Sequence, residues 1–443
     1  MRLRTHLAAF LILLVAGTIA IQAAEKKDRP NIVLIFADDL GINDLSSYGS
    51  EIQTPHIDSI ARNGIKLEQY YVASPICTPS RFGLLTGQFP NRSQDNLVGA
   101  LMFLLERDDH KGIRQHETTI ATVLQKNGYR TALIGKWHLG HNDEDTLPRQ
   151  HGFDYTYGSH GGCVDYFTMK YGHKPDWFRN AKPLVEKGYA TDLISDDAVR
   201  YLKNQKKDQP FFLFLSYTAP HYGKGWNEET KELSNILQAK PKDRKRFKHI
   251  TDTNRLEYAA MVAAMDDGVG RVLETLRKQK LEKNTLVIFT SDNGGDPRYG
   301  GSNEPFRGRK AQLFEGGIRV PCVMQWPAKI KPGTVTSQPV TALDFFPTFC
   351  EITGSSTEGR PLDGESITAL LTEGEKFERD LFWMLPNFHA FRRGDWKYVR
   401  TAKEDFLFNL ADDPHESKNL AEQKPALLKE LKAAHAAIAA TMK

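Results

Sequence analysis

What the chain has little of narrows its class first. Only four cysteines, Cys77, Cys163, Cys322 and Cys350, occur in 443 residues. That is too few for a disulfide-stapled scaffold, so a hydrophobic core must hold the fold. Net charge is also scarce: 59 Lys and Arg against 55 Asp and Glu leave +4. Such a balance gives no sequence-independent attraction to nucleic acid, which is excluded as a partner on that ground, and any bound anion must be held by local groups. Low-complexity tracts, fixed-period repeats and heptads are missing, which excludes solenoids and coiled coils. What remains, 40% hydrophobic and 26% charged residues, suits one large globular domain with a smaller companion.

Arg2 and Arg4 precede an apolar stretch from Leu7 to Ile21, and the small residues Ala23 and Ala24 precede the charged run Glu25-Lys26-Lys27-Asp28-Arg29. That order reads as a secretory signal over residues 1–24, with an apolar stretch short for a full membrane span. Its removal takes away two arginines and no acid, leaving +2. The expected location is periplasmic or secreted, with no stable membrane insertion after cleavage.

Continuous apolar runs recur between helical patterns: Asn31 to Phe36, Thr131 to Ile134, Phe211 to Leu215 and Leu286 to Phe289. Strands buried on both faces read this way. Helix signals lie between them: Thr54-Pro55 to Gly64, Ile120 to Gly128, and Leu256 to Leu276. The alternation predicts an α/β fold, a large mostly parallel sheet flanked by helices. Its last strand and helix are expected at Val320 to Trp326 and Ala342 to Ile352. A boundary near 370 divides a catalytic domain, residues 25–370, from a small α+β subdomain, residues 371–443. The latter shows short antiparallel strands around Leu381-Phe382-Trp383, Trp396 to Val399 and Phe406 to Phe408, then a helix from about Pro425 to Met442.

Chemistry collects at the predicted strand ends. The first strand runs into Asp38-Asp39 and the strand at 285–290 into Asp292-Asn293, the side of an open α/β sheet where ligands bind. Three carboxylates and an amide oxygen suit a hard cation, calcium before magnesium, although either pair alone would equally cap a helix. Two other strand exits carry Lys136, His138 and His221. Cys77-Thr78-Pro79-Ser80-Arg81 places a cysteine just before a predicted helix N-terminus, where the dipole favours an anion and makes the thiol reactive or a target for modification.

This segment, followed by Leu85-Thr86-Gly87, resembles the signature of the type I sulfatases, whose cysteine is oxidised to formylglycine. The resemblance extends through Asp38-Asp39, Gly135-Lys136-Trp137-His138-Leu139-Gly140, Ser291-Asp292-Asn293-Gly294-Gly295, and Lys310 with Glu315-Gly316-Gly317-Ile318-Arg319-Val320-Pro321. It implies an alkaline-phosphatase-like fold and an arylsulfatase or N-acetylgalactosamine-6-sulfatase type of enzyme. Carried over by position, it makes Asp38, Asp39, Asp292 and Asn293 ligands of a calcium ion that also touches residue 77. Arg81, Lys136 and His138 would steady the modified side chain, and His221 and Lys310 would contact sulfate. His221 is the favoured general acid, since its ordinary pKa lies nearer neutrality. A maturation enzyme that generates formylglycine is implied as a partner. The aldehyde hydrate offers one hydroxyl to attack sulfur and a second to expel sulfate, whereas serine would stall as its ester.

Tyr155 to Trp177 is crowded with aromatic and polar side chains interleaved with glycine, which suits a sugar ring or an aromatic-anchored loop. His160, Asp165, Tyr166, Trp226 and Arg392 are the candidate substrate contacts, and a sulfated saccharide is the expected substrate. The basic stretch from Lys240 to Lys248 could steer a polyanion or be a solvated face. A phosphate or phosphonate monoester hydrolase, or an unmodified glycan-binding protein, remain the competing readings.

Overall fold

The computed structural model describes residues 29–206 and 208–442; the expected signal, residues 1–24, lies outside them. The main sheet has strands β1 (Asn31–Asp38), β2 (Ile65–Leu67), β3 (Arg130–Gly135), β4 (Tyr155–Gly158), β5 (Phe178–Arg179), β6 (Lys182–Pro183), β7 (Phe211–Pro220), β8 (Thr285–Ser291), β9 (Cys322–Gln325) and β10 (Thr334–Thr336). Their spatial order is β10-β2-β9-β8-β1-β7-β3-β4-β5-β6. Strands β8, β1, β7, β3 and β4 run parallel at the centre. The runs that form β8, β1, β7 and β3 are apolar on both faces, as strands covered on both sides must be. Ile32, Leu34 and Phe36 enter one core, and Val33, Ile35 and Ala37 the core on the opposite face. Helices cover both.

Two expectations need correction. The segment near Val320 does form a strand, Cys322–Gln325, but it joins β8 and β2 antiparallel, so it closes the parallel series instead of extending it. Tyr155–Gly158, read as part of an aromatic loop, is a parallel strand beside β3. The long helix spans Thr253–Lys278, and its Asp252 side chain accepts from the Arg255 N–H as N-cap.

Beyond it stands an antiparallel sheet, β11 (Asp380–Leu385), β12 (Phe388–Arg393), β13 (Trp396–Arg400) and β14 (Asp405–Asn409), in sequence order. One face adds Leu381, Trp383, Val399 and Phe408 to a core of the main sheet. The other packs on the helix Pro425–Ala440 through Phe382, Phe391, Tyr398 and Leu431. Trp383 Nε1 donates to the Val72 carbonyl at 2.7 Å, docking this sheet beside the segment that leads to Cys77. No described helix is long and apolar enough to cross a membrane.

Candidate active site

Because β8, β1, β7 and β3 are neighbours, their carboxyl ends set Asp292-Asn293, Asp38-Asp39, His221 and Lys136-His138 along one rim. A register shift between Phe36 and Asp38 pairs Asp38 with Pro220, bringing the acids beside the residue before His221. Asp39 and His138 take left-handed backbone conformations, φ 63° and 59°, where the chain turns off the strands. Gly135 makes the second turn possible: a Cβ there would stand 1.8 Å from the Ser216 carbonyl oxygen.

The charged side chains interlock, all but the half-buried Lys310 enclosed by the protein. Lys136 Nζ donates to Asp38 Oδ2 at 2.6 Å, and Lys310 Nζ to Asp39 Oδ2 at 2.7 Å. The Arg81 guanidinium meets Asp292 Oδ2 at 3.0 Å, Ser216 Oγ at 2.6 Å and Asp38 Oδ1 at 3.8 Å. Asn293 Nδ2 donates to Asp39 Oδ1 at 2.8 Å, and the Asp39 N–H to Asp292 Oδ1 at 3.0 Å. His221 Nε2 lies 3.4 Å from Asp39 Oδ2. Asp38 Oδ1 and Asn293 Oδ1 are buried with no hydrogen-bond partner. Burial, then the neighbouring Asp292, holds the Asp38 carboxyl well above its usual range. Burial acts the same way on Asp39, but Lys310 and His221 outweigh it and its pKa is lowered. Crowded carboxylates and an amide with unpartnered oxygens fit a calcium-like cation, which Asp38, Asp39, Asp292 and Asn293 would hold. Asp38, Asp39 and His221 also offer ligand atoms within 4.8 Å of one another.

Cys77 begins the helix Cys77–Thr86, with Ile76 and not Thr78 as N-cap, so it lies two positions further into the helix than the sequence suggested. Of the two readings of this thiol, a reactive nucleophile or a target for modification, the environment favours the second: burial raises the thiol's pKa, against the opposing pull of Lys136 and Lys310. A plain thiolate is therefore disfavoured at this position. Thr78 Oγ1 donates to the His138 carbonyl at 3.1 Å, tying the helix start to the rim.

His138 is not the cation the sequence allowed. Burial, and next Lys136, push its pKa well down. Its Nε2–H donates to the Leu101 carbonyl at 2.8 Å, leaving Nδ1 buried without a partner. Gly162 is what lets the aromatic loop cross it, since a Cβ there would stand 2.6 Å from the imidazole. Burial, and next Lys310, push His221 down to about 3. Its Nδ1–H donates to the Tyr222 carbonyl at 2.7 Å, which leaves Nε2 as the atom turned to the rim. Lys310 is held as a cation: burial opposes its charge, but Asp39 and its other anionic neighbours raise its pKa well above the ordinary value.

The substrate candidates divide. His160 is buried and stacked on Phe178 at 4.1 Å, and Asp165 accepts from the Phe167 and Thr168 N–H groups and from Gln238, so both serve the loop. Tyr166 is buried and its hydroxyl donates to the His221 carbonyl at 2.8 Å, which positions His221. Arg392 is corrected outright: it is buried, bonded to the Tyr71 hydroxyl and the Gly394 carbonyl, and offers no free donor fork at a rim. Trp226 is half-buried and keeps an accessible side. Three of the six basic residues in the stretch are tied to acids: Lys240 to Asp192, Arg244 to Glu257, Arg246 to Asp267.

Three further residues shape the site, and only one of them carried a sequence clue. Ser216 braces Arg81. The Tyr258 hydroxyl lies 2.9 Å from the Asp39 carbonyl and 2.7 Å from Asp44 Oδ2. Asp44 in turn accepts from the Gly41 and Ser302 N–H groups, joining the turns that follow β1 and β8. A polar residue just past an apolar run was the one available clue, and it pointed only to Ser216.

Comparison with known proteins gives a consistent assignment. The Sulfatase family model matches residues 30–355, and a model described as N-sulphoglucosamine sulphohydrolase, C-terminal, matches residues 308–438. The chain is 32% identical to N-acetylgalactosamine-6-sulfatase of Homo sapiens, covering 80% of this chain and 68% of that protein. It is 29% identical to arylsulfatase J of Mus musculus, over 91% and 74% respectively. Among solved structures, Ps i-CgsB in complex with k-i-k-neocarrahexaose is 34% identical, with a TM-score of 0.81 and 91% of each chain covered. The PsFucS1 sulfatase from Pseudoalteromonas sp. is 26% identical, with a TM-score of 0.77 over 96% of this chain and 93% of that one.

Proposed function

This chain belongs to the sulfatase family, a sulfuric ester hydrolase, and from that premise we propose that it is an exported enzyme cleaving sulfate monoesters of a saccharide, with Cys77 converted to formylglycine and a calcium ion at the acidic rim. The observation that carries the proposal is that the helix beginning at Cys77 reaches the acidic rim, its Arg81 meeting Asp292 at 3.0 Å and Asp38 at 3.8 Å, where Asp38 Oδ1 and Asn293 Oδ1 are buried without a hydrogen-bond partner. Relatives that act on sulfated sugars, and a neighbour bound to a neocarrahexaose, support the saccharide. Export rests on the amino-terminal sequence.

When bound, the cation supplies Lewis-acid polarisation of sulfate oxygens, and formylglycine supplies a nucleophilic hydroxyl pair. The chain's own residues prepare the ground for both. Arg81 and Lys136, buried and fixed by Asp292 and Asp38, give a preset positive field that needs no reorganisation as charge spreads over sulfate. Lys310, paired with Asp39 at 2.7 Å, offers a cation toward sulfate. His138, neutral with Nδ1 bare, can accept a hydrogen bond from residue 77. His221 presents Nε2, and an anionic substrate beside it raises its proton affinity, which suits protonation of the departing alkoxide.

The test is parallel kinetics on the sulfate and phosphate monoesters of one alcohol. The sulfate ester should be turned over with the higher kcat/KM; a large preference for phosphate overturns the proposal.

A further inference from the structure

The hairpin that follows His221 has a construction the reaction at the rim does not require. Gly223–Asn227 pairs antiparallel with Glu232–Ile236, and its sequence Tyr222-Gly223-Lys224-Gly225-Trp226 alternates large side chains with glycine. Alternation in a strand sends the large residues to one face and glycine to the other. At Gly223 the glycine face lies against the protein body, where a Cβ would stand 2.5 Å from Gln238 Oε1 and 2.8 Å from the Val164 carbonyl oxygen, and at Gly225 it is closed by Ile236 and Ser234 of the partner strand. The opposite face carries Tyr222, Lys224 and Trp226 with Asn235 across from Lys224.

This face is continuous with the candidate active site. The Tyr222 ring is 4.0 Å from the His221 imidazole and 4.4 Å from the Tyr299 ring, which belongs to the loop following Asp292-Asn293. Asn235 Nδ2 donates to the Tyr299 hydroxyl at 2.7 Å, and Asn235 Oδ1 accepts from Lys224 Nζ. Lys224 therefore has a polar brace, 5.7 Å over the Tyr222 ring, but no ion pair among the described residues. That sets it apart from Lys240, Arg244 and Arg246, whose charges are matched by acids. Acidic Glu228 sits at the far turn, occupied by Lys231 at 2.9 Å. Trp226 continues the row, its ring 4.7 Å from that of His173.

We propose that this face is a second sugar subsite. It takes the saccharide residue adjoining the one that loses its sulfate, with the half-buried aromatic rings against the sugar and Lys224 paired with a second anionic substituent, sulfate or carboxylate, on that neighbour. Aromatic faces bind the apolar side of a pyranose, and a braced, unmatched ammonium selects an anion. The enzyme's substrate is then a multiply charged oligosaccharide and not an isolated monosulfated sugar. The inference rests on the reading of the rim as a saccharide sulfatase.

The experiment compares the mature full-length enzyme with Lys224→Ala, Lys224→Arg and Trp226→Ala. Each is assayed on p-nitrophenyl sulfate, a sulfated carrageenan hexaose and a uronate-containing chondroitin sulfate hexasaccharide. Wild type should prefer one oligosaccharide over the aryl ester, and its identity tells sulfate from carboxylate as the second anion. The ratio of kcat/KM on that oligosaccharide to kcat/KM on the aryl ester should fall about tenfold or more in Lys224→Ala and Trp226→Ala, mainly through KM, with Lys224→Arg partly restored. A ratio within about twofold of wild type in both truncations overturns the subsite. So does a wild type that turns over the aryl ester but neither oligosaccharide. Release of sulfate from none of the three overturns the sulfatase reading itself.

Discussion

Glu416→Gln probes the charge cluster that locks the carboxy-terminal sheet to the segment carrying Lys310. Lys397 of β13, fully buried, lies 2.7 Å from Glu315 Oε1 and 2.9 Å from Glu416 Oε1, and Glu416 Oε2 accepts from the Glu315 N–H at 2.6 Å. Two buried carboxylates share one ammonium, and their proton affinities part. Burial acts upward on both. At Glu315 the cations Lys397, Arg319 and Arg392 outweigh it and bring the pKa from 4.5 down to about 2, while Glu416 is pushed up to about 7. Between pH 4.5 and 7 the folded protein keeps a proton on Glu416 that the unfolded chain has released, so stability falls as pH rises through that window. The loss is about 3 kcal/mol, at about 1.4 kcal/mol for each tenfold change in proton affinity. Glu315 acts oppositely: its contribution is complete above pH 4.5 and lost as pH falls toward 2. Glutamine at 416 keeps an oxygen for the Glu315 N–H and cannot titrate. Urea unfolding of both proteins from pH 5 to 8 should show the variant gaining about 3 kcal/mol relative to wild type toward the alkaline end. Parallel stability curves would refute the reasoning.

Three further outcomes follow from the rim. Cys77→Ser should release at most one equivalent of alcohol per enzyme in a rapid-quench assay, because its sulfate ester has no second hydroxyl to expel sulfate; sustained turnover contradicts this. Chelation of divalent ions should abolish turnover, with calcium restoring it better than zinc, given the all-oxygen set of Asp38, Asp39, Asp292 and Asn293. Tyr258→Phe, which removes the hydroxyl that holds the Asp39 carbonyl, should weaken calcium binding about tenfold by calorimetry without substrate, equivalent to one lost hydrogen bond of about 1.4 kcal/mol; an unchanged affinity would assign Tyr258 to packing alone.

The parts of this molecule legible in its sequence are those where one short segment carries its own reason. Ile32 to Ala37 is apolar at every position because both faces are covered, so β1, β3, β7 and β8 could be read as parallel neighbours, and their exits named the residues at the rim. What stayed hidden depends on pairing. Nothing in Cys322–Gln325 says that it runs antiparallel to β8, and Phe388–Arg393 is too polar in its second half to show as the strand β12. Charge states were hidden for the same reason. His138 read as a possible cation until its burial beside Lys136 was known, and Arg392 read as a rim residue until Tyr71, far away in sequence, was found bonded to it. Glu315, Lys397 and Glu416 look like ordinary surface charges along the chain, and only the docking of two sheets turns them into a buried cluster.

Residue 77 decides the chemistry of the rim, and its state is read from the mass of the tryptic peptide Leu67 to Arg81 in protein made by the native host. With formylglycine at 77 the peptide is about 18 Da lighter than the sequence mass, as thiol gives way to aldehyde, and reactive toward hydrazide. A peptide at the full sequence mass, carrying a free thiol at Cys77, would contradict this conversion.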